Sequence, residues 1–184
     1  MIISDMTEKN ENMLSPEVRD FILNWGERLS HWGLNRTEAQ IFTLIFLSED
    51  LLNAEQITAT LGVARSNVSQ SLKELQSWGI VKPVTVPGER KKRFDCIRDV
   101  WVLFKQVVDE QKRREVDPMI AMLDQTFSKL EANKDDPFVR AKLADMIHFF
   151  DTTTGWYGKV ENMEISTIKK YVKLAGQARK ILGK

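Results

Sequence analysis

The chain has 184 residues, 42% of them apolar and 29% charged, and a formal net charge of +1, the composition of a soluble, folded protein with a real core. No run approaches 18 apolar residues, so no membrane span and no membrane partner are expected, and a single cysteine, Cys96, excludes an internal disulfide framework and fits a reducing, cytoplasmic setting. The charge is unevenly spread: residues 65–93 hold seven Lys/Arg against two Asp/Glu, while the remainder holds 20 against 24. A basic segment on a nearly neutral chain points to a polyanionic partner.

The opening MIISDMTEKNENM has neither a basic n-region nor an apolar h-region, so residues 1–14 read as a flexible tail and not a secretory signal. Ser15-Pro16-Glu17 starts a helix with an N-cap, a proline at the first helical position and an acid in the first turn. Val18, Phe21, Ile22, Trp25, Leu29 and Trp32 extend one apolar stripe along it. Gly33 is placed to end that helix in a left-handed cap, with Leu34 behind it. Asn35/Glu38 and Thr37/Gln40 are overlapping capping boxes for a second helix, and Asn53/Gln56 is a box for a third that buries Ile57 and Leu61. Leu51-Leu52 reads as a short apolar bridge before it.

Gly62-Val63-Ala64 separates that helix from RSNVSQSLKELQS, giving two helices joined by a short glycine-containing turn. Val68, Leu72 and Leu75 form the buried stripe of the later helix. Its other face carries Ser66, Asn67, Ser69, Gln70, Lys73 and Ser77, short hydrogen-bonding side chains that favour helices poorly. Such residues suit a helix lying in the major groove, where base edges offer donors and acceptors. Helices of this kind present their N-terminal residues to the bases, which selects Arg65, Ser66, Asn67, Ser69 and Gln70 as base readers and puts Lys73 near a phosphate. A solvated scaffold helix would also be polar, but the segment that follows weighs against that reading. IVKPVTV and RFDCI read as strands around the turn PGERKK, with Pro83 suggesting an edge, and Arg90, Lys91, Lys92 and Arg93 gather at its tip as phosphate contacts. Ala64, at the position of an N-cap, supplies no capping side chain, and Ser66 is an alternative cap one turn later.

Beyond residue 98 the pattern is helical. RDVWVLFKQVVDEQKRREV is a long helix, Asp117-Pro118 either restarts a helix or kinks a continuous one, and Ile120, Leu123, Phe127 and Leu130 mark a stripe. Asp136-Pro137 repeats the device, and a last helix covers about 164–182. The fold class is therefore mainly α: a winged helix-turn-helix with a small β-hairpin wing over 15–98, whose first helix is also a candidate for a dimer interface, and an all-helical region over 99–184 expected to serve dimerisation and effector binding.

From about residue 20 through the Asp117-Pro118 pair the chain resembles the GbsR/MarR family of bacterial transcriptional regulators. The resemblance is carried by Trp32-Gly33-Leu34, Arg36-Thr37-Glu38-Ala39, Leu61-Gly62-Val63, Asn67-Val68-Ser69, Ser71-Leu72-Lys73-Glu74-Leu75, Trp78-Gly79, Val86-Pro87-Gly88-Glu89-Arg90 and Asp99-Val100-Trp101. It implies a homodimer with two winged helices that binds a pseudo-palindromic duplex DNA operator, as a repressor, and responds to a small ligand. Family members can sense quaternary ammonium compounds in an aromatic box, and Trp101, Trp156 and Tyr157 are the residue types for one; the same aromatics could equally fill the core and the dimer seam. No cofactor, metal set or catalytic constellation is indicated: His31, His148 and Cys96 are isolated, and no phosphate loop, G-x-S-x-G or H-E-x-x-H occurs. The chain reads as no enzyme. The competing reading is a helical dimeric interaction protein whose winged helix docks a protein and not DNA.

Overall fold

The computed structural model describes residues 14–133, 136–161 and 163–182, without the side chains of residues 32, 133, 156, 157, 159–161, 175, 176 and 178–182. Residues 1–13, expected as a tail, lie outside the described residues. The chain divides into two compact units, with the boundary between Gln106 and Val107.

In the first unit, helix α1 spans Pro16–Leu29 and starts as expected, with Ser15 Oγ accepting from the Val18 N–H. It buries Ile22 and Gly26. The expected continuous stripe divides there: Phe21 and Trp25 remain about half exposed and stack on each other at 5.5 Å. The chain then tightens into a 3₁₀ turn over Ser30–Trp32, closed by Gly33 at φ 94°, so the helix is shorter than the apolar spacing alone suggests. Leu34 is buried behind it.

Helix α2, Arg36–Leu47, opens on the Asn35/Glu38 box, and that box, not the one at Thr37, sets its start. It is buried continuously from Glu38 to Ile45, which makes it the centre of the unit. Gly26 permits α1 to approach it closely: a Cβ there would lie 2.4 Å from Gln40 Cγ. Strand β1 is Leu52–Asn53, helix α3 is Ala54–Leu61, and helix α4 is Arg65–Ser77. Strand β2, Val81–Val84, and strand β3, Arg93–Cys96, form the wing. The antiparallel sheet runs β1-β3-β2, so Pro83 does lie on an edge strand, and β3 is central. Leu52 pairs with Phe94 and Pro83 with Phe94 from the other side. Strand β1, made of Leu52 from the apolar bridge read in the sequence and of Asn53 read as a helix cap, thus gives the wing a third strand. Ile41, Leu44, Ile45, Leu52, Ile57, Val68, Leu75 and Ile80 are fully buried and join helices to sheet.

Helix α5, Val100–Gln111, begins with the Trp101 and Val102 N–H groups donating to Asp99 Oδ1. It runs into a π turn over Lys112–Val116, after which helix α6, Asp117–Asn133, follows. Asp117-Pro118 therefore lies within a continuous helical path that widens into the π turn just before it, and does not restart a helix. The wider turn takes the Asp117 N–H back to the Lys112 carbonyl, and it accommodates a proline whose ring would crowd an ordinary α ladder. Helix α7, Pro137–Glu161, is capped by Asp136, whose carboxylate accepts from the Phe138 and Val139 N–H groups, and helix α8 is Ile165–Leu182. No described helix is long and apolar enough to cross a membrane. From Val107 onward, Leu123 is the one buried apolar side chain among the described residues.

Candidate nucleic-acid interface

Helix α3 is set by a complete capping box: Asn53 Oδ1 accepts from the Glu55 and Gln56 N–H groups, and Gln56 Oε1 accepts from the Asn53 N–H at 2.9 Å. Gly62, in the left-handed region at φ 67°, ends it. Three residues later α4 begins at Arg65 behind Ala64, with no side-chain cap. Ser66 is within the helix, so it does not cap it. Val68, Ser71, Leu72 and Leu75 are buried and seat α4 on the core, leaving one helical face outward.

Arg65, Ser66, Asn67, Ser69, Gln70 and Lys73 are all exposed. Several Ser and Thr side chains in or just past the helices of this chain turn back on their own backbone: Thr43, Ser48, Thr58, Thr126 and Ser128 each donate to the carbonyl four residues earlier. Ser77, at the end of α4, does the same three residues back. By contrast the side chains of Ser66, Asn67, Ser69 and Gln70 make no hydrogen bond among the described residues. Asn67, Gln70 and Ser71 share a cleft of about 350 Å³ with Asn35, Arg36 and Thr37 at the start of α2. Arg36 and Thr37 were not selected from sequence as part of this surface, because only the fold brings the start of α2 beside α4.

The wing cations divide into two sets. Arg90 and Lys92 are exposed and without an ion pair among the described residues. Arg93 points inward: its guanidinium donates to both oxygens of Glu89 at 2.7 and 2.8 Å and to the Leu51 carbonyl at 2.8 Å. It is half buried and fastens β3 to the segment before β1, so its position differs from the outward one expected of the four-cation run. Arg98, just past β3, likewise donates to the Phe46 and Ser48 carbonyls at the end of α2 and to Asp95. Lys91 folds back onto the Glu55 carboxylate, and Arg65 Nη1 stands 3.6 Å from the other Glu55 oxygen. The Lys91 ammonium holds the Glu55 carboxyl below its ordinary range. Asn53, Ala54, Arg65, Arg90, Lys91, Lys92 and Phe94 surround Glu55 in a cleft of about 300 Å³. Sequence reading missed Glu55, since its cations are distant in the chain.

Cys96 and Phe94 face the interior of the wing together and both are buried, and burial pushes the thiol up to about 11. Among the described residues no group of three or more His, Cys, Asp or Glu side chains is placed to hold a metal ion. Of the aromatic residues considered for an effector, Trp101 is half buried at the start of α5, and the side chains of Trp156 and Tyr157 lie outside the described ones.

A family model for the MarR family matches residues 32–92, about a third of the chain. The fold is similar to a crystal structure of a transcriptional regulator, with a TM-score of 0.65 at 15% identity, covering 79% of this chain and 96% of that one. A transcriptional regulator from Thermotoga maritima aligns with a TM-score of 0.38 at 15% identity, over 80% of this chain and 94% of that one. A MarR family transcription regulator aligns with a TM-score of 0.36 at 20% identity, over 82% and 94%. No curated protein matches the chain by sequence.

Proposed function

Since residues 32–92 are those of a MarR-family winged helix, we propose that this protein is a dimeric, sequence-specific DNA-binding transcriptional regulator, acting as a repressor. The observation that carries the reading is the outward face of α4, where Ser66, Asn67, Ser69 and Gln70 hold their donors and acceptors unspent beside an exposed cationic wing. Asn and Gln can each pair with adenine through two hydrogen bonds, and Ser with either base type. Arg65, Ser66, Asn67, Ser69 and Gln70 read base edges, while Lys73, Arg90 and Lys92 contact phosphates. Lys91 reaches the backbone only after leaving Glu55, and Arg93 supports the wing from inside.

Dimerisation is supported by the second unit. Phe138, Phe149, Met122, Tyr171, Val172 and Leu174 are more than half exposed, and a single buried apolar side chain among the described residues is little core for a helical segment to stand on alone. A second copy of the chain gives that surface a partner and places two α4 helices on half-sites about one helical turn apart. A small-molecule response rests on residue types only: calorimetry with choline should give binding heat that Trp156→Ala removes, and no heat at millimolar choline ends that reading.

The test is selection from a random duplex pool with the purified protein. A recovered two-fold-related sequence with that spacing is the expected outcome. If no duplex is enriched even in very dilute buffer, the DNA reading fails in favour of the alternative, a winged helix that docks a protein.

A further inference from the structure

The cleft between the start of α3, the start of α4 and the wing tip contains four basic side chains and one acid. Arg65, Arg90, Lys91 and Lys92 line it, and Glu55 stands among them. The Glu55 side chain takes no part in capping its helix, because Asn53 and Gln56 supply the capping box and only the Glu55 backbone N–H joins it. Its carboxylate instead receives Lys91 and faces Arg65. Two oxygens carrying one negative charge, approached by a lysine from the wing and an arginine from α4, reproduce the way a phosphodiester would be held at the same place. Both pairs are exposed, so they are weak enough for a phosphate to replace.

We infer that Glu55 occupies, in the free protein, the place of a DNA backbone phosphate, and that the duplex displaces it from Lys91 and Arg65 on binding. The inference rests on the DNA-binding reading and goes beyond it by assigning an internal competitor. Before binding, the carboxylate gives the wing tip a partner on α3 and keeps two cations partly neutralised. In the complex it is set free near the phosphates, at an electrostatic cost that applies to a duplex of any sequence. Glu55 therefore lowers affinity uniformly, without touching a base edge, and it reduces the net release of counterions on binding.

The experiment titrates the full-length protein and its Glu55→Gln variant against a selected operator duplex and a random duplex across a range of salt concentrations. Glu55→Gln should bind both duplexes roughly three- to tenfold more tightly, by the same factor. The slope of log affinity against log salt should steepen by about 0.9, one additional phosphate contact without a competing anion. In a Lys91→Ala background the gain from Glu55→Gln should shrink, because part of the competition has already been removed; this cycle tests the pathway through Lys91. Unchanged or weaker binding by a Glu55→Gln protein with a wild-type melting curve overturns the inference and makes Glu55 an idle or wing-positioning residue. Loss of duplex binding by the wild type itself instead overturns the DNA-binding reading beneath it.

Discussion

On the DNA-binding reading proposed above, two side chains on α4 and the wing should separate what is recognised from how tightly it is held. Gln70 is exposed on α4 beside Asn67, whereas Lys92 is an exposed charge on the wing tip. Gln70→Ala should cost about 1–3 kcal/mol on the operator, concentrated at one base pair, and little on random DNA. Lys92→Ala should weaken both equally and flatten the salt slope by about 0.9. Identical behaviour of the two variants on operator and random duplexes would show that the face of α4 reads no bases. Cys96 makes a different prediction. Below pH 9 its thiol is protonated in both the folded and the unfolded chain. Burial moves the folded-state value up to about 11 from 9.0, so between those values the unfolded chain loses a proton that the folded chain keeps. Stability therefore falls as pH rises through that window. Cys96→Val should melt closer to its neutral-pH temperature at pH 10 than the wild type does, with comparable melting at pH 7.

Among the elements, those defined by neighbouring residues were legible in the sequence. The boxes at Asn35/Glu38 and Asn53/Gln56 span three residues each, and the caps at Ser15 and Asp136 are equally local, so pattern and structure agree. The outward face of α4 was readable because burial of Val68, Leu72 and Leu75 fixes the opposite side by helical period alone. What escaped depends on distant contacts. Strand β1 is two residues long and exists because Leu52 meets Phe94, and the inward turn of Arg93 follows from a carbonyl at Leu51 and a carboxylate at Glu89. A run of four basic residues contains no local signal that its last member faces the interior. Helix contact can also reverse a propensity rule. Gly26→Ala ought to gain helix stability of about 0.5–1 kcal/mol, but the new methyl group would meet Gln40 Cγ at 2.4 Å and the backbone of α2 at 3.3–3.4 Å. Overpacking of this kind costs about 1–3 kcal/mol, so the variant should melt several degrees lower. A melting temperature above wild type would mean that α1 has room to move away.

For the whole molecule, the balance of buried and exposed apolar surface predicts assembly. On the dimeric reading proposed above, the second unit, in which Leu123 is the one buried apolar residue described beyond Gln106, takes the rest of its core from a second copy. Sedimentation of the full chain should give twice the monomer mass at micromolar concentration, and its melting temperature should rise with concentration, as mass action requires. Phe149→Lys, on α7, should shift the equilibrium toward monomer and weaken operator binding more than it weakens binding to an isolated half-site. A monomeric wild type that melts at one temperature across a hundredfold dilution would refute the assembly. The π turn at Lys112–Val116 has a consequence here. It holds one residue more than a regular helical path would, and the Lys112 ammonium spans it to Asp117 at 2.6 Å. Each residue in an α-helix advances the azimuth by about 100°, so excising a single residue from this turn would swing the side of α6 bearing Met119 and Met122 around by that angle. If two copies pair as proposed, such a deletion, though it leaves both winged-helix and α6 sequences intact, should weaken their pairing as thoroughly as a charged substitution on α7 does.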